Sequence, residues 1–343
     1  TIVGKTWLLH VVEVLNVTAE ENIRMIADTV AFLKKNDREV FYDAEHFFDS
    51  YKDNPEYSLQ TLRAARDAGA DALVLCDTNG GSLPEEIGRI TGEVIAHLKC
   101  PVGIHTHNDC GLGVANALAA IRAGASQVQG TMNGYGERVG NCNLTTIIPT
   151  LQVKMGIPCV PDLTQLREVS RFIDELANVP QDIRAPYVGQ AAFTHKGGLH
   201  VHAVQKISHS YEHMSPGLVG NSQTILVSDM SGQSNILSKA TELGFQLQKG
   251  APEVAAILKK VKESESIGYE FEAADASFEL LLLEEVSGKR PSFFTIEHWL
   301  TTVERAEDQS IVTKAEVTVT AMGQEITCSG EGNGPVNAFD NAL

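Results

Sequence analysis

Two histidines one residue apart close an apolar run in Pro101-Val102-Gly103-Ile104-His105-Thr106-His107-Asn108-Asp109. In a β-strand, residues two apart point to one face, so the His105 and His107 imidazoles project together from the strand end. Two same-face imidazoles form half a metal site, and nitrogen and oxygen donors with open positions suit Mn2+, Mg2+ or Zn2+. Such an ion neutralises charge and polarises a carbonyl as a Lewis acid. The alternative is a pair of structural histidines packed beside a turn. Asp43 and Glu45 also share a face at the end of an earlier strand, and Thr78 closes the run that begins at Ala72. A carboxylate at Glu45 can orient a substrate or relay a proton; otherwise it caps the following loop. Asp77-Thr78-Asn79-Gly80 also makes a good turn by itself.

Further polar stretches follow. Asn133-Gly134-Tyr135-Gly136-Glu137-Arg138-Val139-Gly140-Asn141 is punctuated by glycine but lacks the Lys and Ser/Thr of a phosphate-cradling loop. Glu137 and Arg138 suit a salt bridge at least as well as a direct catalytic role. His195, His200 and His202 fall together in a stretch too polar for a core.

Elements that end at a common edge must position these groups. Residues 39–45, 72–78, 101–107 and 126–132 read as strands, and residues 1–4 as the tail of another. Thr18 to Glu21 is a capping box for a helix to about Lys35. Asn54-Pro55 opens a helix to Gly69, Ser82 to Glu85 caps one to about Leu98, and Val114 to Ala123 forms another. Apolar strands alternating with helices predict an α/β fold with a parallel sheet. An open doubly wound sheet and part of a (β/α)8 barrel both fit, and both bind ligands at the carboxyl ends of their strands. No GxGxxG follows the first strand, which counts against a dinucleotide fold.

Beyond the sheet, Asp162 to Gln165 caps a helix with Leu163, Leu166, Val169, Phe172, Ile173 and Leu176 on one face. Residues 180–230 read as loops and short helices, and residues 232–243 and 252–264 as helices. From Gly268 the pattern changes: Phe278 to Glu284 is apolar, and Val312 to Cys328 alternates around Met322-Gly323, a hairpin. The expected divisions are 1–155, the carboxyl-terminal part of a barrel; 156–265, a helical linker subdomain; and 266–343, the start of an α+β domain.

At 343 residues the chain is long enough for two or three domains with a substantial core. With 27 basic and 44 acidic residues its charge is −17, so nucleic acid and anionic membrane are poor partners. Six cysteines form no CxxC pair, which points to a reduced, cytoplasmic setting. No apolar run is long enough to span a bilayer, and none reads as a signal peptide.

The segments 103–113 and 133–141 resemble the signature of the α-isopropylmalate, homocitrate and citramalate synthases. The likeness extends through Asp43-Ala44-Glu45-His46-Phe47-Phe48-Asp49, Cys76-Asp77-Thr78-Asn79-Gly80-Gly81 and His195-Lys196-Gly197-Gly198-Leu199-His200-Val201. It covers nearly the whole chain and is strongest toward the citramalate-forming members. The resemblance implies a partial TIM barrel, lacking its first three strand–helix units, followed by a helical linker and a truncated α+β regulatory domain that takes an amino-acid feedback inhibitor. The Arg-Asp-Gly turn that supplies the family's remaining metal ligand would lie in the absent units.

By the same resemblance His105 and His107 are metal ligands, with Asn141 near the metal. Glu45 is an active-site acid, Thr78 contacts the substrate carboxylate, and Asp43 sits beside them. His200 is a base brought to the partner subunit's site, with Tyr211 close by, so the enzyme would be a homodimer. The implied reaction is a Claisen-type condensation of acetyl-CoA with a 2-oxo acid, pyruvate giving (R)-citramalate. The bulk of His46, Phe47 and Phe48 favours a small acceptor over those of the isopropylmalate and homocitrate synthases. Lyases of acyl-CoA thioesters share the barrel and an HxH but are not expected to carry the region from Asp162 onward. A non-catalytic regulatory or binding subunit is the alternative of another class.

Overall fold

Alternate positions of the first five strands carry two different chemistries, and the fold follows from their separation. The computed structural model describes residues 1–272, 274–290, 292–305 and 309–343. In it β1 (Ile2–Lys5), β2 (Phe41–Glu45), β3 (Ala72–Asp77), β4 (Val102–Thr106) and β5 (Gln127–Gln129) pair in parallel, in sequence order. Between them run α1 (Leu8–Glu13), α2 (Ala19–Lys35), α3 (Phe47–Asp53), α4 (Pro55–Asp67), α5 (Pro84–Leu98) and α6 (Gly113–Arg122). Tyr42, Ala44, Leu73, Leu75, Val102 and Ile104 join Ile26, Val30, Leu62, Ile87, Ile90 and Val94 of the helices in one buried apolar cluster. Asp43, Glu45, Cys76, His105 and Gln129 occupy the intervening positions and so face the other side of the sheet.

A doubly wound sheet reverses its strand order at a switch point; here the order runs from first to fifth without reversal. That is the order of a barrel wall. The Gln129 amide on β5 donates to Asp43 on β2 at 2.9 Å. Strands about 4.8 Å apart would hold those two positions roughly 14 Å from each other in a flat sheet, so the sheet curls around the polar face.

The Thr18 hydroxyl accepts from the Glu21 amide (3.2 Å), and the Asn54 side chain accepts from the Tyr57 amide (3.1 Å), as their spacing predicts. The helix after β3 starts differently from the expectation. Ser82 donates to the buried Asp77 carboxylate (3.0 Å), and it is Glu86 that accepts from the Leu83 amide (3.0 Å).

After α7 (Leu144–Pro149), α8 (Leu166–Ala177) reverses part of the expected face. Leu166, Ser170 and Asp174 are buried, whereas Phe172 and Leu176 are 55% and 68% exposed. Polar partners decide this: Asp174 Oδ1 accepts from Asn133 (2.5 Å) and from the Tyr135 hydroxyl (2.6 Å), and Ser170 donates to Asn133 (2.7 Å). Leu163 and Leu166 pack with Tyr187, Val188, Phe193, Met214 and Val219.

The chain divides into two compact units, residues 1–194 with 207–224, and residues 195–206 with 225–343. In the second, α9 (Gly198–Lys206) is followed by α10 (Gln233–Glu242), α11 (Pro252–Ser266) and α12 (Asp275–Ser287). Ile236, Val254, Ile257, Val261, Phe278 and Leu282 form the shared core of α10, α11 and α12, and the apolar Phe278–Glu284 stretch is helical. Three antiparallel strands follow, Phe294–Arg305, Ile311–Ala321 and Gln324–Gly332. Met322 and Gly323 both have positive φ (51° and 78°), which gives the hairpin the backbone of a type I′ turn. Helix α13 (Pro335–Ala342) lays Ala338 and Ala342 on Ala315, Val317 and Val319. Among the described residues no helix is long and apolar enough to cross a membrane.

Candidate active site

The polar groups of the curled face meet at the carboxyl ends of β2 to β5. His105, one residue before the end of β4, is in register with Cys76 of β3 and Gln129 of β5. Its ring centroid lies 5.2 Å from that of His107. His107 forms a β-bridge with Asn141, and the Asn108 amide donates to the Gly140 carbonyl (2.9 Å), so the 133–141 turn folds back onto the histidine strand. Two glycines make that fold-back possible. Gly140 has φ +102°, and a Cβ there would collide with the Gly134 carbonyl; at Gly136 a Cβ would strike the Asn141 side chain.

The two imidazoles have different surroundings. His105 Nδ1 lies 2.8 Å from the Gln129 side-chain oxygen Oε1, and Asn141 Nδ2 lies 3.1 Å from His105 Nε2. His107 Nδ1 lies 3.2 Å from Arg138 Nη2. A guanidinium only donates, so this Nδ1 accepts and Nε2 carries the proton of the neutral ring. Burial first, then the neighbouring His105 and Arg138, hold the His107 pKa below the ordinary histidine value, which keeps it neutral.

Arg138 gathers three loops. It donates to both Asp109 oxygens (2.6 and 2.8 Å) and to the Thr78 carbonyl (2.7 Å), beside its contact with His107. The Arg138 guanidinium holds the Asp109 carboxyl below its usual range. The Thr78 hydroxyl accepts from the His46 amide at 2.8 Å. Glu45 is ion-paired with Lys5 of β1, and the Thr6 hydroxyl donates to its carbonyl (2.6 Å). Asp43 is buried, and burial raises its pKa against the opposing effect of the Gln129 hydrogen bond.

Thus His105, His107, Asn141 and Asp43 lie in one connected network, with Thr78 joined to it through Arg138, and Glu45 engaged with β1. His200 lies on α9 in the second unit, exposed, and Tyr211 lies in the first, 50% exposed. Among the described residues no three His, Cys, Asp or Glu converge as a metal-holding group. Sequence reasoning missed Gln129 and Lys5. Gln129 left no signal in the sequence, because its pairing with His105 across β4 and β5 is seen only in the structure.

Residues 1–173, which include every strand of this sheet, match the HMGL-like family model. The chain belongs to the HMGL-like family. Farther along, residues 187–268 match a domain described as homocitrate synthase post-HMGL domain-like, and residues 272–343 the LeuA allosteric (dimerisation) domain. An (R)-citramalate synthase of Geobacter sulfurreducens is 51% identical over 100% of this HMGL-like chain and 65% of its own length. That of Aquifex aeolicus is 48% identical over 100% of this chain and 66% of its own. The chain therefore spans about two thirds of the length of these curated relatives, at 65% and 66%. Among solved structures, the HMG-CoA lyase of Bacillus subtilis aligns with a TM-score of 0.47 at 19% identity, over 52% of this chain and 63% of that one.

Proposed function

We propose that this chain is part of an (R)-citramalate synthase, which condenses acetyl-CoA with pyruvate and releases CoA. The observation that carries the reading is the convergence of His105, His107 and Asn141 at the carboxyl ends of parallel strands. It gains substrate identity from relatives of that name that align over the whole chain. In donor chemistry the three residues fit a divalent cation such as Mn2+, Mg2+ or Zn2+. His105 faces Asn141 through Nε2, and His107 is kept neutral, as a ligand must be. His107 would ligate through Nδ1 in place of the Arg138 contact, or through Nε2 after exchanging tautomers. Bound there, the cation would hold the 2-oxo acid and polarise its ketone.

The remaining roles belong to the chain. Thr78 would donate its hydroxyl to the substrate carboxylate, with Asp43 lining the same face. Glu45 would orient the oxo acid, its charge balanced by Lys5. His200, from a partner subunit, would take a proton from the acetyl methyl, with Tyr211 near it; the new carbon–carbon bond forms to the ketone carbon, and hydrolysis of the thioester releases CoA. Dimerisation through residues 272–343 would bring the shared sites together, and that region would bind an amino-acid feedback inhibitor. The domain division 1–155, 156–265 and 266–343 belongs to this reading, as does a cytoplasmic setting, which the six free cysteines support.

The test uses the natural full-length protein, following CoA release with acetyl-CoA and pyruvate, 2-oxoisovalerate or 2-oxoglutarate, with Mn2+ and after EDTA. Metal-dependent release with pyruvate alone is expected. Release with a larger acid instead would move the assignment to an isopropylmalate or homocitrate synthase. None from a folded protein would leave a binding or regulatory subunit.

A further inference from the structure

We propose that Asp43 and Gln129 form a polarity relay that fixes the tautomer of His105, which makes Gln129 a positioning residue of the site. The relay runs across the curled face from β2 to β5 and back to β4. An ionised carboxylate only accepts hydrogen bonds, so the group that Gln129 turns to Asp43 Oδ1, at 2.9 Å, is its NH2. The amide has one other end. Its carbonyl oxygen therefore faces His105 Nδ1, at 2.8 Å, and that nitrogen must carry the proton. The neutral ring then leaves a lone pair on Nε2, which receives the Asn141 Nδ2 hydrogen at 3.1 Å.

Each link thus determines the next, and the chain of donors has a single self-consistent direction. The register supports it: His105 and Gln129 are direct partners across β4 and β5, so their side chains share a face. Among the described residues His107 has no such amide partner and, facing Arg138, takes the opposite tautomer. The sheet therefore presents an unprotonated Nε2 from His105 at any pH where the ring is neutral and Asp43 is ionised. The tautomer follows from hydrogen-bond polarity alone; that its Nε2 faces a cation rests on the function proposed above.

The relay is tested by 15N NMR of the natural full-length protein labelled at histidine, under conditions where the rings are neutral, with the His105 signals assigned by His105→Gln. Wild-type His105 is expected as the Nδ1–H form. Gln129→Met removes the amide, and Asp43→Asn lets the Gln129 amide turn either way, so each variant is expected to shift His105 toward a mixture of tautomers. An Nε2–H ring in the wild type overturns the relay, as does an unchanged tautomer in both folded variants. Should one variant fail to fold, the other decides; should both, the wild-type spectrum does. A merely structural Gln129 would not move the tautomer. Calorimetric titration with Mn2+ tests the functional reading separately. Weakening by about 10- to 100-fold in Gln129→Met is expected of an outer-shell partner. If the wild type binds no Mn2+ but His105 is Nδ1–H, the relay stands and the metal reading falls.

Discussion

At the scale of single residues, the loops at the strand ends are held by a few groups whose titration and reactivity are measurable. Asp109, held below the usual carboxylate range by Arg138, stabilises the folded chain when ionised. The sign follows from that depression: the contribution is present above the unfolded carboxyl pKa of about 4 and is lost as pH falls through the folded value. Asp109→Asn should therefore melt below the wild type at neutral pH, with the gap closing in acid; a gap that persists in acid would remove the ion pair as its cause. Burial pushes the Cys142 thiol up to about 12 and the Cys76 thiol well above its ordinary value, whereas Cys110 and Cys159 are exposed. A thiolate reagent should modify Cys110 and Cys159 in the folded chain, mass spectrometry finding Cys76 and Cys142 only after unfolding. The residues most legible in the sequence were those with distinctive types and spacing, His105 and His107. Gln129 was not legible, because an amide in a short strand becomes informative only when its three-dimensional neighbours are known.

Among the elements, the alternation of strands and helices could be read directly, because short apolar runs such as Ala72–Cys76 and Pro101–Ile104 alternate with capped, helix-periodic segments. Barrel and open sheet share that alternation, so strand order had to come from the structure or from resemblance. Helix α8 shows where periodicity fails. Counting apolar residues placed Val169, Phe172 and Leu176 inward, but the buried hydrogen bonds of Ser170 and Asp174 to Asn133 and Tyr135 turn the helix the other way. The consequence is a pair of unequal substitutions. Phe172→Ala, at an exposed site, should change stability by about 0.5 kcal/mol or less. Asp174→Ala leaves the Tyr135 hydroxyl without its acceptor and Asn133 with only the Ser170 carbonyl, and should cost about 1–3 kcal/mol. Denaturant melts of the two variants decide which face is inward; equal losses would contradict this rotation of α8.

For the molecule as a whole, the HMGL-like sheet and the appended post-HMGL and LeuA domains occur in one chain in that order. The relation of the strand order to the active groups is the part that matters for chemistry, and one contact expresses it. Gln129 and Asp43 are 86 residues apart in sequence. Closing so long a loop is entropically costly, so contacts of this kind form late, after the local strand–helix pairs. No peptide that carries only the histidine strand can set the ring of His105, because the information for its proton position enters from the second and fifth strands together. The protonation pattern of one imidazole is therefore a report on folding: a chain that has built its strands but has not yet curled its sheet would have every side chain of the site present and the His105 tautomer not yet fixed.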